Sequence, residues 1–245
     1  MLQRSVVPAL FAGFVFALAS CVNPPSRTPE RAAPPIAPVA PAAPVAAPAR
    51  AEPYNLYLLK QEIKTYVDDG RYEAGLTAVA GEAKEWIEQR AVRGGDKLAV
   101  VFDLDETLLS NLQHMRAMDF GYVPKLWDEW VAEADAPAIA PVRDVYLAAR
   151  ARNLAIVFIT GRKTSDQPGT ENNLRAAGLG GYTRIFYKPN GYAGTTESFK
   201  TSIRKKLVEE EGYTIVANIG DQTSDLTGGY AERTFKLPNP FYIAK

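Results

Sequence analysis

The stretch Leu98-Ala99-Val100-Val101-Phe102-Asp103-Leu104-Asp105-Glu106-Thr107-Leu108-Leu109-Ser110-Asn111 changes character at its sixth residue. Five apolar residues without alternation predict a strand buried on both faces, as in a parallel sheet. Three acids then fall within four residues. Carboxylates just beyond a buried strand are costly to leave without partners, so they predict metal binding or catalysis at the strand's end.

Outward from this strand, apolar runs at 154–159 and 215–219, a shorter run at 184–187 and an edge candidate at 234–237 predict further strands. Helical spacing recurs near 142–151, 171–177 and 198–211. Strand and helix alternate, which predicts an open, Rossmann-like α/β fold: a parallel sheet with helices on both faces. Such sheets carry their sites at the carboxyl ends of the central strands. Residues 54–93 read as a helical lead-in, broken at Asp68-Asp69-Gly70. Residues 110–140 depart from the alternation and predict a small inserted cap after the first strand. Their aromatic residues, Phe120, Tyr122, Trp127 and Trp130, suit core packing of an extra helix. Placed at the mouth of the site, they equally suit a lid or a substrate wall. His114, the only histidine, joins Trp127 and Trp130 as a candidate substrate contact.

The first 52 residues are of another kind. Residues 1–20 carry one arginine, Arg4, and an apolar run too short for a membrane span, which predicts a secretory signal. Leu18-Ala19-Ser20-Cys21 resembles a bacterial lipobox, and Cys21 is the only cysteine in the chain. The resemblance implies cleavage before Cys21, its lipidation, and attachment to a membrane of the cell envelope, with the outer membrane favoured by Val22. Residues 21–52 alternate Pro and Ala, predicting an extended tether. Residues 53–245 form the folded domain. Lys+Arg and Asp+Glu are both 28, so no basic excess points to a nucleic-acid polymer.

Four polar motifs stand at or just beyond the ends of the predicted α/β elements. They are Asp103-Leu104-Asp105, Ile159-Thr160-Gly161-Arg162, Lys200-Thr201-Ser202-Ile203-Arg204, and Gly220-Asp221-Gln222-Thr223-Ser224-Asp225. Singly, each reads as a turn, a cap or a solvated helix residue. Four in this order at successive junctions point to a site.

Together they resemble the haloacid-dehalogenase superfamily, and FDLDETLLSN resembles its subfamily IIIB. That subfamily holds bacterial class C acid phosphatase lipoproteins and plant acid phosphatases with vegetative storage proteins. The resemblance implies a phosphomonoesterase acting on a small phosphate ester. Asp103 would be the nucleophile and Asp105 the acid and base. Mg²⁺ would be held by the Asp103 and Asp221 carboxylates and the Asp105 main-chain carbonyl, with Asp225 beside it or as a further ligand. Thr160 and the Gly161 N–H would take phosphate oxygens at a helix start. Lys200 would supply positive charge, with Lys188 its rival at another strand end. Arg162 would brace its loop, Glu106 would face away from phosphate, and Asn111 would fix the loop. The alternatives are a phosphotransferase of the same fold and a non-catalytic, storage-like binding lipoprotein. The oligomeric state has no sequence signal.

Overall fold

The computed structural model describes residues 53–244. The signal at 1–20, Cys21 and the tether at 21–52 lie outside the described residues. Among those described, no helix is long and apolar enough to cross a membrane.

The apolar run forms β1 (Leu98–Phe102), buried at every position. It is the middle of a five-stranded sheet with β2 (Ala155–Lys163), β3 (Arg184–Lys188), β4 (Thr214–Gly220) and β5 (Thr234–Lys236). The order is β3-β2-β1-β4-β5 and every pairing is parallel. Alternate side chains serve two layers. Val100, Phe102, Ile156 and Phe158 pack with the buried faces of α2 (Arg71–Val92) and α5 (Ala140–Ala151). Val101, Val157, Ile159 and Ile215 pack with Phe199 and Leu207 of α7 (Thr196–Glu209).

The buried positions of α2, Tyr72, Leu76, Ala80, Ala83 and Ile87, follow the three- and four-residue spacing of one helix face. A register shift interrupts the β1–β4 ladder between Ala99 and Val100. The indole N–H of Trp86 donates to the Val216 carbonyl there at 2.8 Å, so the irregularity leaves that acceptor satisfied.

The three helices predicted between the strands, α5, α6 (Gln167–Ala176) and α7, all start earlier than their apolar pattern suggested. α5 and α6 each carry proline in the first turn, where no intrahelical N–H is needed. The lead-in splits as expected into α1 (Leu56–Asp68) and α2 around Gly70, whose φ is +83°. Of these two, α2 supplies the buried core positions, whereas α1 buries no residue completely and only leans Tyr66 and Val67 against the core. Instead, α1 is tied by charge to the inserted segment, through Lys60 and Lys64 to Asp119 and through Asp68 to Arg116.

The insertion holds two short helices where one was expected, α3 (Leu112–Ala117) and α4 (Pro124–Glu133). Asp119 and Phe120 separate them in the left-handed region, with φ of 47° and 58°. α4 lies so close to α6 that a Cβ on Gly169 would stand 2.3 Å from the Val131 carbonyl oxygen. Gly81, on α2, has nothing within 4 Å of the same atom. Gly169→Ala is therefore expected to destabilise the domain by about 1–3 kcal/mol by overpacking. Gly81→Ala should stabilise it by about 0.4–1 kcal/mol by restricting the unfolded chain. Urea unfolding of the two variants measures both; equal stabilities would contradict the close α4–α6 approach.

Candidate active site

β1 is flanked by β2 on one side and β4 on the other, so successive connections leave it in opposite directions. The carboxyl ends of β1 and β4 thus open a crevice at the point where strand order reverses. The Asp103 N–H donates to the Ile219 carbonyl at 3.0 Å, which fixes Asp103 on the rim. Asp221 follows the last residue of β4. A cavity of about 560 Å³ opens between them and reaches Asp105, Lys200 and Asp225.

Lys200 is the buried cation of the site. Its ammonium donates to Asp103 Oδ1 and, at 2.7 Å, to Asp225 Oδ1. Burial works against its charge, yet the two carboxylates hold its pKa above the usual lysine range. Burial raises Asp103 well above the ordinary carboxylate range; Lys200 opposes this, and Asp225 and Asp221 reinforce it. Asp221 is raised by burial and by Asp225. Its carboxylate accepts from Thr107 Oγ1 at 3.2 Å and from Gln222 Nε2 and Asn239 Nδ2, each at 2.6 Å.

Asp105 has a separate partner. Burial disfavours its charge, but Arg162 outweighs it and holds the carboxyl below its usual range. Arg162 Nη2 donates to Oδ1 at 2.7 Å, and Nε reaches both oxygens at 3.1 Å. Asn111 Nδ2 adds a bond to Oδ1 at 2.9 Å. Glu106, at a φ of 55°, does turn away from the cavity. It accepts from the Asn111 N–H at 2.6 Å and the Tyr242 hydroxyl at 2.6 Å. Burial and the nearby Asp105 push its carboxyl up to about 8.

Asp103, Asp105, Gly161, Lys200, Asp221 and Asp225 all reach the cavity. Thr160 does not: it is fully buried behind the wall, and its hydroxyl oxygen accepts the Arg162 N–H at 3.1 Å. Nor is it at a helix start. β2 continues to Lys163, and a 3-10 turn (Thr164–Asp166) intervenes before α6. Of the aromatic candidates, His114 and Trp127 line the cavity, their rings edge-to-face at 5.8 Å. Burial lowers the His114 pKa. Trp130 lies behind them, 7% exposed, stacked on His114 and donating its indole N–H to Asn111 Oδ1 at 2.8 Å. Its role is to hold the loop after Asp105, because its one polar atom is already committed.

Sequence reasoning missed Asn239, Phe241 and Tyr242, which follow the last strand and carry no periodicity. Asn239 supports Asp221 and also accepts the Phe241 N–H at 2.8 Å, so one side chain joins the acid cluster to the cavity wall. The only cue was the turn signal Pro238-Asn239-Pro240.

The donor set suits a hard divalent cation. Carboxylate oxygens of Asp103, Asp221 and Asp225 all lie within 4.8 Å of one another. Four acids, Asp103, Asp105, Asp221 and Asp225, face the two cations Lys200 and Arg162, leaving an excess of two negative groups. An all-oxygen cluster with that imbalance fits Mg²⁺ or a similar ion.

An acid cluster at the β1–β4 switch, with a lysine from α7 and a small insertion after β1, defines a haloacid-dehalogenase site. Residues 46–245 match the model of the HAD superfamily, subfamily IIIB (acid phosphatase), and the chain belongs to that family. It is 35% identical over 186 residues to the stem 28 kDa glycoprotein of Glycine max, covering 73% of this chain and 72% of the relative. It is 32% identical over 184 residues to acid phosphatase 1 of Solanum lycopersicum, covering 74% and 72%. The class C acid phosphatase of Bacillus anthracis superimposes with a TM-score of 0.63 at 25% identity, covering 76% of this chain and 87% of that one. The chain is thus a phosphomonoesterase of the acid phosphatase type.

Lys200→Ala is expected to lower turnover of a phosphomonoester by about a hundredfold or more, the range for one key electrostatic group. Lys200→Arg should stay impaired, since a planar guanidinium cannot reproduce both contacts. Lys188, which meets Thr196 Oγ1 at 3.2 Å and not Asp103, should leave turnover of a simple ester nearly unchanged when replaced by Ala. Steady-state kinetics decide: a crippled Lys188→Ala beside a mild Lys200→Ala would reverse the two roles.

Proposed function

We propose that this chain is a Mg²⁺-dependent phosphatase that works through an aspartyl-phosphate on Asp103 and is held at the cell envelope by a lipid on Cys21. The observation that carries the catalytic reading is the Lys200 ammonium set between Asp103 and Asp225, with Asp221 alongside. The cation, held by Asp103, Asp221, Asp225 and the Asp105 main-chain carbonyl, would offset the repulsion between a carboxylate nucleophile and an anionic ester.

The free oxygen of Asp103 attacks phosphorus and the ester oxygen leaves, so a P–O bond forms as another breaks. Lys200 neutralises charge on the transferring group in a water-poor crevice. Gly161 lines the cavity, where its N–H would donate to a phosphoryl oxygen, and Thr160 Oγ1 behind it accepts the Arg162 N–H within the end of β2. Asp105, held ionised by Arg162, takes a proton from the attacking water, and it would give one to the leaving oxygen where a singly protonated ester brings that proton in. Among the described residues Oδ2 accepts only from Arg162 Nε, which makes it the oxygen left to carry that proton. A storage or purely binding role would need no cation-bridged cluster of this kind.

Asp103→Asn should abolish phosphate release while circular dichroism and unfolding stay near those of the parent. Chelation should stop turnover and added Mg²⁺ restore it. Phosphate appearing in water, with none passed to added glycerol, would favour hydrolysis over phosphotransfer. Near-parental activity of Asp103→Asn would sink the covalent mechanism.

Cys21→Ala should move the protein from the membrane to the soluble fraction of envelope preparations. Acyl labelling that persists in that variant would overturn the anchor.

A further inference from the structure

Four Lys or Arg side chains line the cavity among the described residues: Arg162, Lys163, Lys188 and Lys200. Two of them are already matched. Arg162 is paired with Asp105, and Lys200 with Asp103 and Asp225. Among the described residues, neither Lys163 nor Lys188 is paired with a carboxylate. They are register partners at the carboxyl ends of β2 and β3, so two ammonium groups extend from neighbouring positions on adjacent strands. Like charges so placed repel each other. Lys188 is held partly out of water, and burial together with Lys200 and Lys163 lowers its pKa.

The placement is built into the fold. Ser165 directs its N–H and hydroxyl to Asn190 Oδ1, both at 3.3 Å, tying the segment after β2 to the segment after β3. Asp166, on the same wall, is turned to other partners: it accepts the Lys163 N–H at 2.7 Å and the Ser165 hydroxyl at 3.1 Å. The remaining lining acid outside the reacting cluster, Asp128, comes from α4 in the inserted cap. Two neighbouring lysines in ion-pair contact with no carboxylate, on a wall whose one acid is already held by other donors, form a site for an anion from outside.

We propose that Lys163 and Lys188 form an anion subsite next to the reacting centre, and that the preferred esters carry a second anionic group, a carboxylate or another phosphate. This rests on the phosphatase reading of the same cavity. The reacting phosphoryl group is taken by Lys200 and the acid cluster, and the second anion lies along the β2–β3 edge. The contribution falls on binding, so it should appear chiefly in KM and weaken as salt screens it.

The test uses the full chain and two matched substrate pairs: phenyl phosphate against carboxyphenyl phosphate, and propanediol monophosphate against propanediol bisphosphate. For the parent, kcat/KM is expected to favour the doubly charged member of at least one pair by about tenfold, the scale of one charge-assisted contact. The pair that shows it identifies carboxylate or phosphate. In Lys163→Ala/Lys188→Ala the preference should vanish, with the loss confined to doubly charged esters. No preference in the parent would overturn the proposal, as would a preference surviving in the double variant. An equal loss on both members would also overturn it, assigning the lysines to the transferred phosphoryl group instead. If the parent hydrolyses none of the four esters, the phosphatase reading itself fails. Calorimetric binding of the same pairs to parent and double variant then decides the subsite independently.

Discussion

The structure turns on one buried ammonium between two buried carboxylates. Lys200, Asp103 and Asp225 are 3%, 6% and 3% exposed. Charges so placed are tolerated only when paired, because an orphaned one costs several kcal/mol. The pairing dictates that α7 meet the ends of both β1 and β4, since Asp103 sits on the first and Asp225 just past the second. Arg204, one helical turn after Lys200, completes the grip. It is fully buried and donates to the carbonyls of Asp225, Thr227 and Gly229. One face of one helix therefore holds the side chain of Asp225 through Lys200 and its main chain through Arg204.

The parts of this arrangement that were legible in the sequence are those with strong local signals. An unbroken apolar run followed by acids marked β1 and Asp103, and polar motifs after the other runs marked β2, α7 and β4. Contacts between distant residues were not legible. Arg162 reads locally as a brace for its own loop, yet its partner is Asp105, fifty-seven residues away. Asn239 supports Asp221 from beyond the last strand, where neither period nor composition distinguishes it. Thr160 sits elsewhere than expected for a different reason. Thr-Gly-Arg suggests a turn into a helix, but β2 runs on past it, and the threonine side chain falls on the inner side of the strand end. The starts of α5 and α6 were set too late because apolar spacing marks only the buried face, while their first turns carry proline.

The inserted segment and the chain after β5 are joined through the nucleophile loop. Tyr242 donates to Glu106, Glu106 accepts from Asn111, and Asn111 accepts from Trp130 of α4. Phe241 stacks on Phe120 at 6.0 Å from the other side. The two walls of the cavity thus share the loop that carries Asp105. Burial and the nearby Asp105 push the Glu106 carboxyl up to about 8, and the network holds its two oxygens with three donors.

The three tryptophans occupy three different environments. The Trp86 indole bonds to the sheet at Val216, Trp130 bonds to Asn111 behind the cavity, and Trp127 faces the cavity with the Arg162 guanidinium 5.9 Å from its ring. Intrinsic emission is therefore already divided by location. A change on filling the cavity belongs to Trp127, one on loosening the nucleophile loop to Trp130, and one on separating α2 from the sheet to Trp86. The protein carries its own set of optical reporters, and replacing any two indoles leaves the third to follow one layer at a time.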